Sequence, residues 1–600
     1  MICPHCFQPD VDGECDSCGA SMDSKGGLLS VINRDASDED EDRLSVLADK
    51  MRPLEERLDA VRDDYMDGHV VDRFFKTRTV CWRFLVPSML TGRGLVIGDH
   101  DEKVGLLLAE VLEEVHVVDD SVARLQALEA VAEAEGVEVW PLHGTIETLP
   151  YPPDAFDVIV VQCRADEVTT YLSELKSFLA DGGSVLLLVD GWLRELGLTH
   201  PFGLGAPEGP MSVRLQSAVH GCSWRLSRDV RNAGLEVAKR YALLSTNRHE
   251  NERVFEVESE RALDWLVGGP GKAANTRSFA VARALAQLTR ETGILNQCYP
   301  RYLLVCTARS RETGLREPTD AMLIAGKNRS TVVELGTEGI ELVRKIPNSR
   351  RQAVMSQNAD RAITELPGAL SRTVPTSELR ETKFGPEREE AQVSGTPLDQ
   401  LLEPTPESVE RYLDMVFNWI EKLQHETRSG VVSKRPAEIR DELTNERFGL
   451  TEPPLPERPI QLPTVLCHGD LFGSNIYVDE GEVSQVIDWE WAEYEGNPIA
   501  DPGFFLLQLA EFVGEDFVDG FERLFLADEL YAKRVRRRVK EYCDCVGVEL
   551  STFALFLPIG YLQRGRIDMS VNKRLDIDLP GRVQYVWERT KSISRSFEPK

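Results

Sequence analysis

The stretch from Val465 to Asp488 constrains this chain more than any other. An apolar Val465-Leu466 leads into Cys467-His468-Gly469-Asp470-Leu471-Phe472-Gly473-Ser474-Asn475-Ile476. After a short hairpin, Val486-Ile487 ends on Asp488-Trp489-Glu490. Short apolar runs bounded by glycine and acids read as strands ending in loops. Asp470, Asn475 and Asp488 are thus three oxygen-bearing side chains delivered from loops near strand ends. Taken singly, His-Gly-Asp is an ordinary turn and Asp-Trp-Glu an ordinary strand end; their order is what carries weight.

Phosphoryl transfer needs a carboxylate to orient and deprotonate the acceptor hydroxyl, plus oxygen ligands for magnesium bridging the phosphates. The three residues supply those groups in the expected order. The segment resembles the aminoglycoside and choline kinase family, relatives of protein kinases that act on small molecules. The resemblance implies that Asp470 is the catalytic base, that Asn475 and Asp488 hold Mg2+, and that His468 braces the catalytic loop. Asn497-Pro498-Ile-Ala-Asp501, leading into Phe504-Phe-Leu-Leu507, matches as well; such an acid locks the loop and opens a buried helix.

Upstream, Thr331-Val-Val-Glu-Leu335, a Gly336–Gly339 turn and Ile340-Glu-Leu-Val-Arg-Lys345 read as a hairpin of a small β lobe. By the same resemblance Lys345 neutralises nucleotide phosphates, the turn Gly326–Ser330 covers them, and Gln392–Leu398 is the hinge where adenine binds. The acid pairing with that lysine is left open between Asp360 and Glu365. A helix is expected over Tyr412–His425. Arg534-Val-Arg-Arg-Arg-Val-Lys540 reads as a solvated face balancing acids, and is also the basic patch to test for an anionic substrate.

Between about 70 and 310, short apolar runs alternate with helical stretches, the pattern of a parallel sheet with crossover helices. Leu95-Val-Ile-Gly98, Val115-His-Val-Val-Asp119, Phe156–Val161 and Ser184–Val189 are the strands. Asp119-Asp-Ser121, Leu149-Pro-Tyr-Pro152 and Asp181-Gly-Gly183 make this part similar to class I methyltransferases. The resemblance implies an S-adenosylmethionine site at Gly98, Asp119 and Glu147. The expected glycine-rich turn instead reads Gly98-Asp99-His100-Asp101-Glu102, and Val96 stands where an acid is usual.

Cys3-x2-Cys6 and Cys15-x2-Cys18 form two thiolate turns, and a tetrahedral Zn2+ site of structural type is expected. The segment resembles the short zinc ribbons of microbial proteins, and a protein partner would dock there. Residues 21–42, with Asp35–Asp42, hold little that could be buried and are expected to be mobile. A helix follows over Leu44–Asp64.

The expected organisation is multidomain α/β and α+β. It comprises a zinc ribbon (1–20), an acidic linker plus helix (21–69), a Rossmann-like methyltransferase sheet (70–312) and a two-lobed protein-kinase-like fold (318–600, small lobe 318–395, large lobe 396–600). With 600 residues, one hydrophobic core does not suffice. The net charge of −31, with 17 Lys among 69 Lys and Arg, reads as adaptation to a salt-rich, halophilic cytoplasm and disfavours nucleic acid or anionic membrane as partners. No apolar run reaches the roughly eighteen residues of a membrane span, and Met1–Cys6 lacks the features of a secretory signal. The expected function is ATP- and magnesium-dependent phosphorylation of a small hydroxyl-bearing acceptor (a sugar, an amino alcohol or a polysaccharide end), coupled to methyl transfer. The alternatives are a nucleotide-binding pseudoenzyme that acts as a scaffold, and an antibiotic kinase of aminoglycoside type.

Overall fold

The computed structural model describes residues 23–25, 28–30, 77–98, 103–196, 211–244, 252–268, 297, 299–308, 320–326, 328–337, 339–444, 450–527, 529–572 and 578–597. Cys3, Cys6, Cys15 and Cys18, the helix expected over 44–64 and the turn residues 99–102 lie outside them. The chain forms two compact units. One comprises Met1–Arg351 with Glu381–Glu387, the other Gln352–Arg380 with Arg388–Lys600.

The first unit is built on one long sheet. Its strands are β1 (Asp23–Lys25), β2 (Leu28–Ser30), β3 (Arg93–Ile97), β4 (Glu114–Asp119), β5 (Trp140–His143), β6 (Phe156–Cys163), β7 (Leu179–Asp190), β8 (Leu235–Leu244), β9 (Glu252–Glu256), β10 (Arg301–Ala308), β11 (Ala321–Ala325), β12 (Arg329–Gly336) and β13 (Gly339–Pro347). They lie in the order β1-β2-β5-β4-β3-β6-β7-β10-β8-β9-β11-β12-β13. Pairing is parallel from β2 through β7. It is antiparallel from β7 onward. Helices α1 (Lys103–Ala109), α2 (Val122–Glu135) and α3 (Val168–Leu175) make the crossovers.

The apolar runs read as strands are continuous because the sheet is covered on both faces. Val96, Val158 and Val160 enter one core with Leu107 and Leu128. Leu95, Ile97, Ile159 and Val161 enter the other with Leu172. Both cores continue under β11 and β12, through Leu323 and Val332 on one side and Met322 and Val333 on the other. The hairpin expected to begin a separate small lobe therefore extends the sheet of the first unit, with Met322 opposite Phe255 and Leu323 opposite Val254.

The segment expected to be mobile after the ribbon is partly ordered. β1 and β2 form a hairpin, and Leu29 and Ser30 pair in parallel with Leu142 and His143. β5 would otherwise leave a row of backbone groups open at the sheet edge, and this hairpin takes them up.

Strands β14 (Ser377–Thr382) and β15 (Gly385–Glu390) are each cut by the division. The second unit is mostly helical: α4 (Ala353–Thr364), α5 (Pro406–Thr427), α6 (Pro436–Leu443), α7 (Ala500–Val513), α8 (Leu530–Val546), α9 (Ile559–Asn572) and α10 (Asp578–Phe597). Two small sheets join them, β16 (Thr396–Pro397) with β19 (Ile476–Asp479) and β20 (Glu482–Val486), and β17 (Gly430–Lys434) with β18 (Ile460–Cys467) and β21 (Glu493–Gly496). α5 covers the expected Tyr412–His425. Thr405 caps it by accepting the Ser408 N–H, and it buries Leu413, Phe417 and Ile420. The seven described cysteines are free thiols, four of them buried. Among the described residues no single helix is long and apolar enough to cross a membrane.

Candidate active site

β18 ends at Cys467, and the next three residues form a tight loop. Gly469 has φ +80°, and a Cβ there would fall on the carbonyl oxygen of Trp491, so only glycine fits. Asp501, fully buried at the start of α7, accepts the N–H groups of His468 (2.8 Å) and Gly469 (2.9 Å). Burial pushes its carboxyl up to about 6, and those two N–H donors oppose the shift.

The buried His468 bridges two parts of the loop cluster. Its Nε2–H donates to the Ile487 carbonyl (2.8 Å), and Nδ1 accepts the Asp470 N–H (3.2 Å). One ring nitrogen donating while the other accepts defines the Nε2–H tautomer. Trp489 packs against the ring at 4.7 Å between centroids. These contacts place the Asp470 loop beside the strand end that carries Asp488.

Asn475 donates to the Asp470 carbonyl (2.9 Å) and to its Oδ2 (3.3 Å). The β19–β20 ladder pairs Ile476 with Val486, and Ile487 N–H donates to the Asn475 carbonyl at 3.0 Å, so Asn475 and Asp488 are neighbours across the hairpin. Asp488 adopts the left-handed region (φ +70°, ψ +50°), an uncommon conformation for a residue other than glycine. Asn358 of α4 supports the turn that follows, donating to the carbonyls of Glu490 (3.1 Å) and Ala492 (2.7 Å).

An amide oxygen and a carboxylate are hard donors of the kind magnesium takes. Among the described residues no group of three or more His, Cys, Asp and Glu could hold a metal alone. A magnesium ion that keeps waters and binds substrate phosphates needs only one or two protein ligands, so the Asn475–Asp488 pair fits.

Sequence reasoning missed one residue here. Arg564, in Leu562-Gln-Arg-Gly-Arg566 on α9, forms an ion pair with Asp470 through Oδ1. Its guanidinium also lies 5.2 Å from the Trp491 ring centroid and 5.7 Å from that of Phe504. No motif marks it, since it comes 94 residues after its partner. The basic run noted in the sequence behaves as a balanced face. Arg534 pairs with Glu407 and Glu410, Arg537 with Asp414 and Glu541, and the buried Arg538 with Glu421. Of the acids weighed as partners for the lysine, Asp360 pairs with Arg388 and Glu365 with Arg361.

In the first unit, Lys345 is buried on β13, opposite Thr331. The sheet reverses its strand order between β3 and β6, where a ligand crevice is expected at the carboxyl ends. Gly98 lies there with φ +74°, and a Cβ would fall on the Gln162 carbonyl oxygen. Asp119 ends β4, nearly buried. Its Oδ1 takes the Ser121 N–H (2.7 Å) and Arg124 (3.0 Å). Burial pushes its carboxyl up to about 6, while Arg124 and the Ser121 N–H oppose this. Glu147 is exposed on the 3-10 turn Ile146–Thr148. An acid ending the strand beside a glycine turn is the chemistry that would take a ribose hydroxyl, so Gly98 and Asp119 suit a ribose-bearing cofactor.

A model of the phosphotransferase enzyme family (APH) matches residues 379–542. No curated protein sequence matches the chain. Among solved structures, the [4+2]-cyclase SpnF is similar at 17% identity, over 38% of this chain and 78% of that one (TM-score 0.23). The complex of the Haloferax volcanii Trm112 methyltransferase activator with a methyltransferase is similar at 14%, over 46% and 99% (TM-score 0.24). Haemonchus contortus phosphoethanolamine N-methyltransferase 2 is similar at 16%, over 39% and 52% (TM-score 0.21). At such scores the reading of the first unit stands on its strand order. The match to the phosphotransferase enzyme family spans the braced Asp470 loop, and the chain is a transferase.

Proposed function

We propose that the C-terminal part transfers the γ-phosphoryl group of ATP to the hydroxyl of a small acceptor. The supporting observation is that Asp470, Asn475 and Asp488, spread over 19 positions of the sequence, converge on one loop cluster tied down by Asp501 and His468. In this reading Asp470 orients the acceptor hydroxyl and takes its proton. Asn475 and Asp488 would hold the magnesium ion, which neutralises phosphate charge when bound. His468 and the Asp501 carboxylate fix the backbone of the loop in place before transfer. Phosphate binding by Lys345 remains a proposal from the family resemblance.

For the first unit the proposal is S-adenosylmethionine binding at Gly98 and Asp119, with Glu147 as a further contact. Its support is the strand reversal between β3 and β6, with Gly98 and Asp119 at the carboxyl ends of β3 and β4. A four-thiolate zinc site at Cys3, Cys6, Cys15 and Cys18, and function in a salt-rich cytoplasm, remain proposals from the sequence.

Thermal unfolding in concentrated potassium chloride tests the kinase reading. Mg-ATP at about 100 times its dissociation constant stabilises the domain that binds it by about 2.7 kcal/mol, a shift of several degrees. Asp488→Ala is expected to abolish that shift. A wild-type chain that gains nothing from Mg-ATP sinks the reading and leaves a scaffold.

A further inference from the structure

Asp470 is already engaged. Oδ1 is held by the Arg564 guanidinium and Oδ2 lies 3.3 Å from the Asn475 amide. A carboxylate whose oxygens already accept a guanidinium and an amide has little room left to accept an acceptor hydroxyl. To act as base, Asp470 has to be relieved of part of that contact. The side chain of Arg564 is about one-third exposed and that of Asp470 half as much, so the pair sits at the mouth of the site, where an acceptor enters.

The surroundings show what could relieve it. On the same helix, Gln563 donates to Glu493, and Arg566 donates to the carbonyls of Asp441 and Thr444 (3.2 and 3.3 Å) at the end of α6. These flanking bonds clamp α9. The aromatic faces of Trp491 and Phe504 hold the guanidinium near the loop even when its carboxylate partner changes. A neutral hydroxyl compound would have to separate an ion pair and offer nothing in return. A cationic acceptor would meet a like charge. An anionic acceptor exchanges one carboxylate partner for another, so no partly buried charge is left unpaired.

Resting on the phosphotransferase reading above, we propose that Arg564 selects an acceptor bearing an oxyanion, a carboxylate or a phosphate, close to its reacting hydroxyl. That oxyanion takes Arg564 from Asp470 and thereby frees the base. The hydroxyl proton then passes to Asp470, and the acceptor oxygen bonds to the γ-phosphorus. The bond from that phosphorus to the bridging oxygen breaks, and its electron pair leaves with the nucleoside diphosphate. Arg564 is a specificity and positioning residue in this scheme, and Asp470 remains the base.

The test uses the full chain, Mg-ATP and six acceptors in two matched sets: glycerol, glycerate and glycerol 3-phosphate; galactose, galacturonate and galactose 6-phosphate. Wild type is expected to favour an anionic member by about 100-fold in kcat/KM, the scale of a lost charge-assisted bond. The carboxylate and phosphate arms distinguish the two anions. In Arg564→Gln the preference should shrink to about threefold, mostly through KM. Arg564→Lys should keep part of the preference, and it carries the comparison if the Gln variant does not fold.

Equal use of neutral and anionic members by wild type overturns the proposal. So does an unchanged preference in Arg564→Gln, or binding of Mg-ATP with transfer to none of the six. ATP hydrolysis that depends on Asp470 and rises tenfold in Arg564→Gln, without any acceptor preference, would make the arginine a lock and also overturn it. Absence of any Mg-ATP binding is a separate outcome and defeats the phosphotransferase reading itself.

Discussion

Asp119 and Asp470 invite comparison, since each is an acid at or just past the carboxyl end of a strand with an arginine against it. Arg124 lies in the first turn of the helix that follows β4 and reaches both Asp119 and Asp120. Asp119 is 7% exposed there, so its arginine is a local counter-charge for a buried carboxylate. Arg564 arrives from a helix far along the chain and meets a carboxylate nearer solvent. A buried pair of neighbours is costly to separate. A pair at the mouth of a site can trade partners. The same contact therefore holds the fold in one unit and conditions chemistry in the other.

The sharpest way to separate the two is the rate. Asp470→Ala should lower kcat of phosphoryl transfer by about 1,000-fold, and Asp119→Ala should leave it within about twofold, since Asp119 lies outside the family match. A large rate loss in the Asp119 variant would break the division of labour. Denaturant unfolding comes next. Arg124→Gln leaves a buried carboxylate without its cation and should cost about 3 kcal/mol. Arg564→Gln should cost about 1 kcal/mol or less, because its partner can turn to water. Equal costs would make both arginines structural.

A smaller effect is expected from pH. Asp119 and Asp501 both have carboxyls raised from 3.8 to about 6 by burial. The folded chain then binds protons more tightly than the unfolded one. This contribution to stability is fully present below pH ~4 and is lost as pH rises through ~6. Asp119→Asn and Asp501→Asn should each remove that group's share of the pH dependence, on the order of 3 kcal/mol across the window. A slope unchanged in both variants would show that neither carboxyl is raised. The smallest effect belongs to the basic run. Arg537→Ala removes exposed pairs with Asp414 and Glu541 and should change stability by no more than about 0.5 kcal/mol.

Much of this was legible in the residues. The strand ending at Asp119, the strand over Phe156–Val161 (two residues longer in the structure), the hairpin at Thr331–Lys345 and the helix around Tyr412–His425 are all present. Asn475 bonds to Asp470 and pairs with Ile487, the residue before Asp488. What the pattern did not disclose has a common form. The short Asp23–Ser30 hairpin has too few apolar residues to announce itself, and it is ordered by the edge of β5. The β9–β11 ladder joins strands that an apparent domain boundary separates, and a backbone ladder leaves no signature in side chains. Arg564 looks like any other arginine of an acidic surface.

By itself, then, the sequence determined the local elements and the order of the chemical groups. Alternation, capping and the spacing of loop residues act over a few positions and are written in adjacent side chains. The tertiary structure alone decided which strand edge β11 joins, that the Arg534–Arg538 run is answered by acids of α5, and which arginine meets Asp470. Ion pairs and ladder bonds are satisfied by whichever group packing brings within reach, and that choice depends on the whole core.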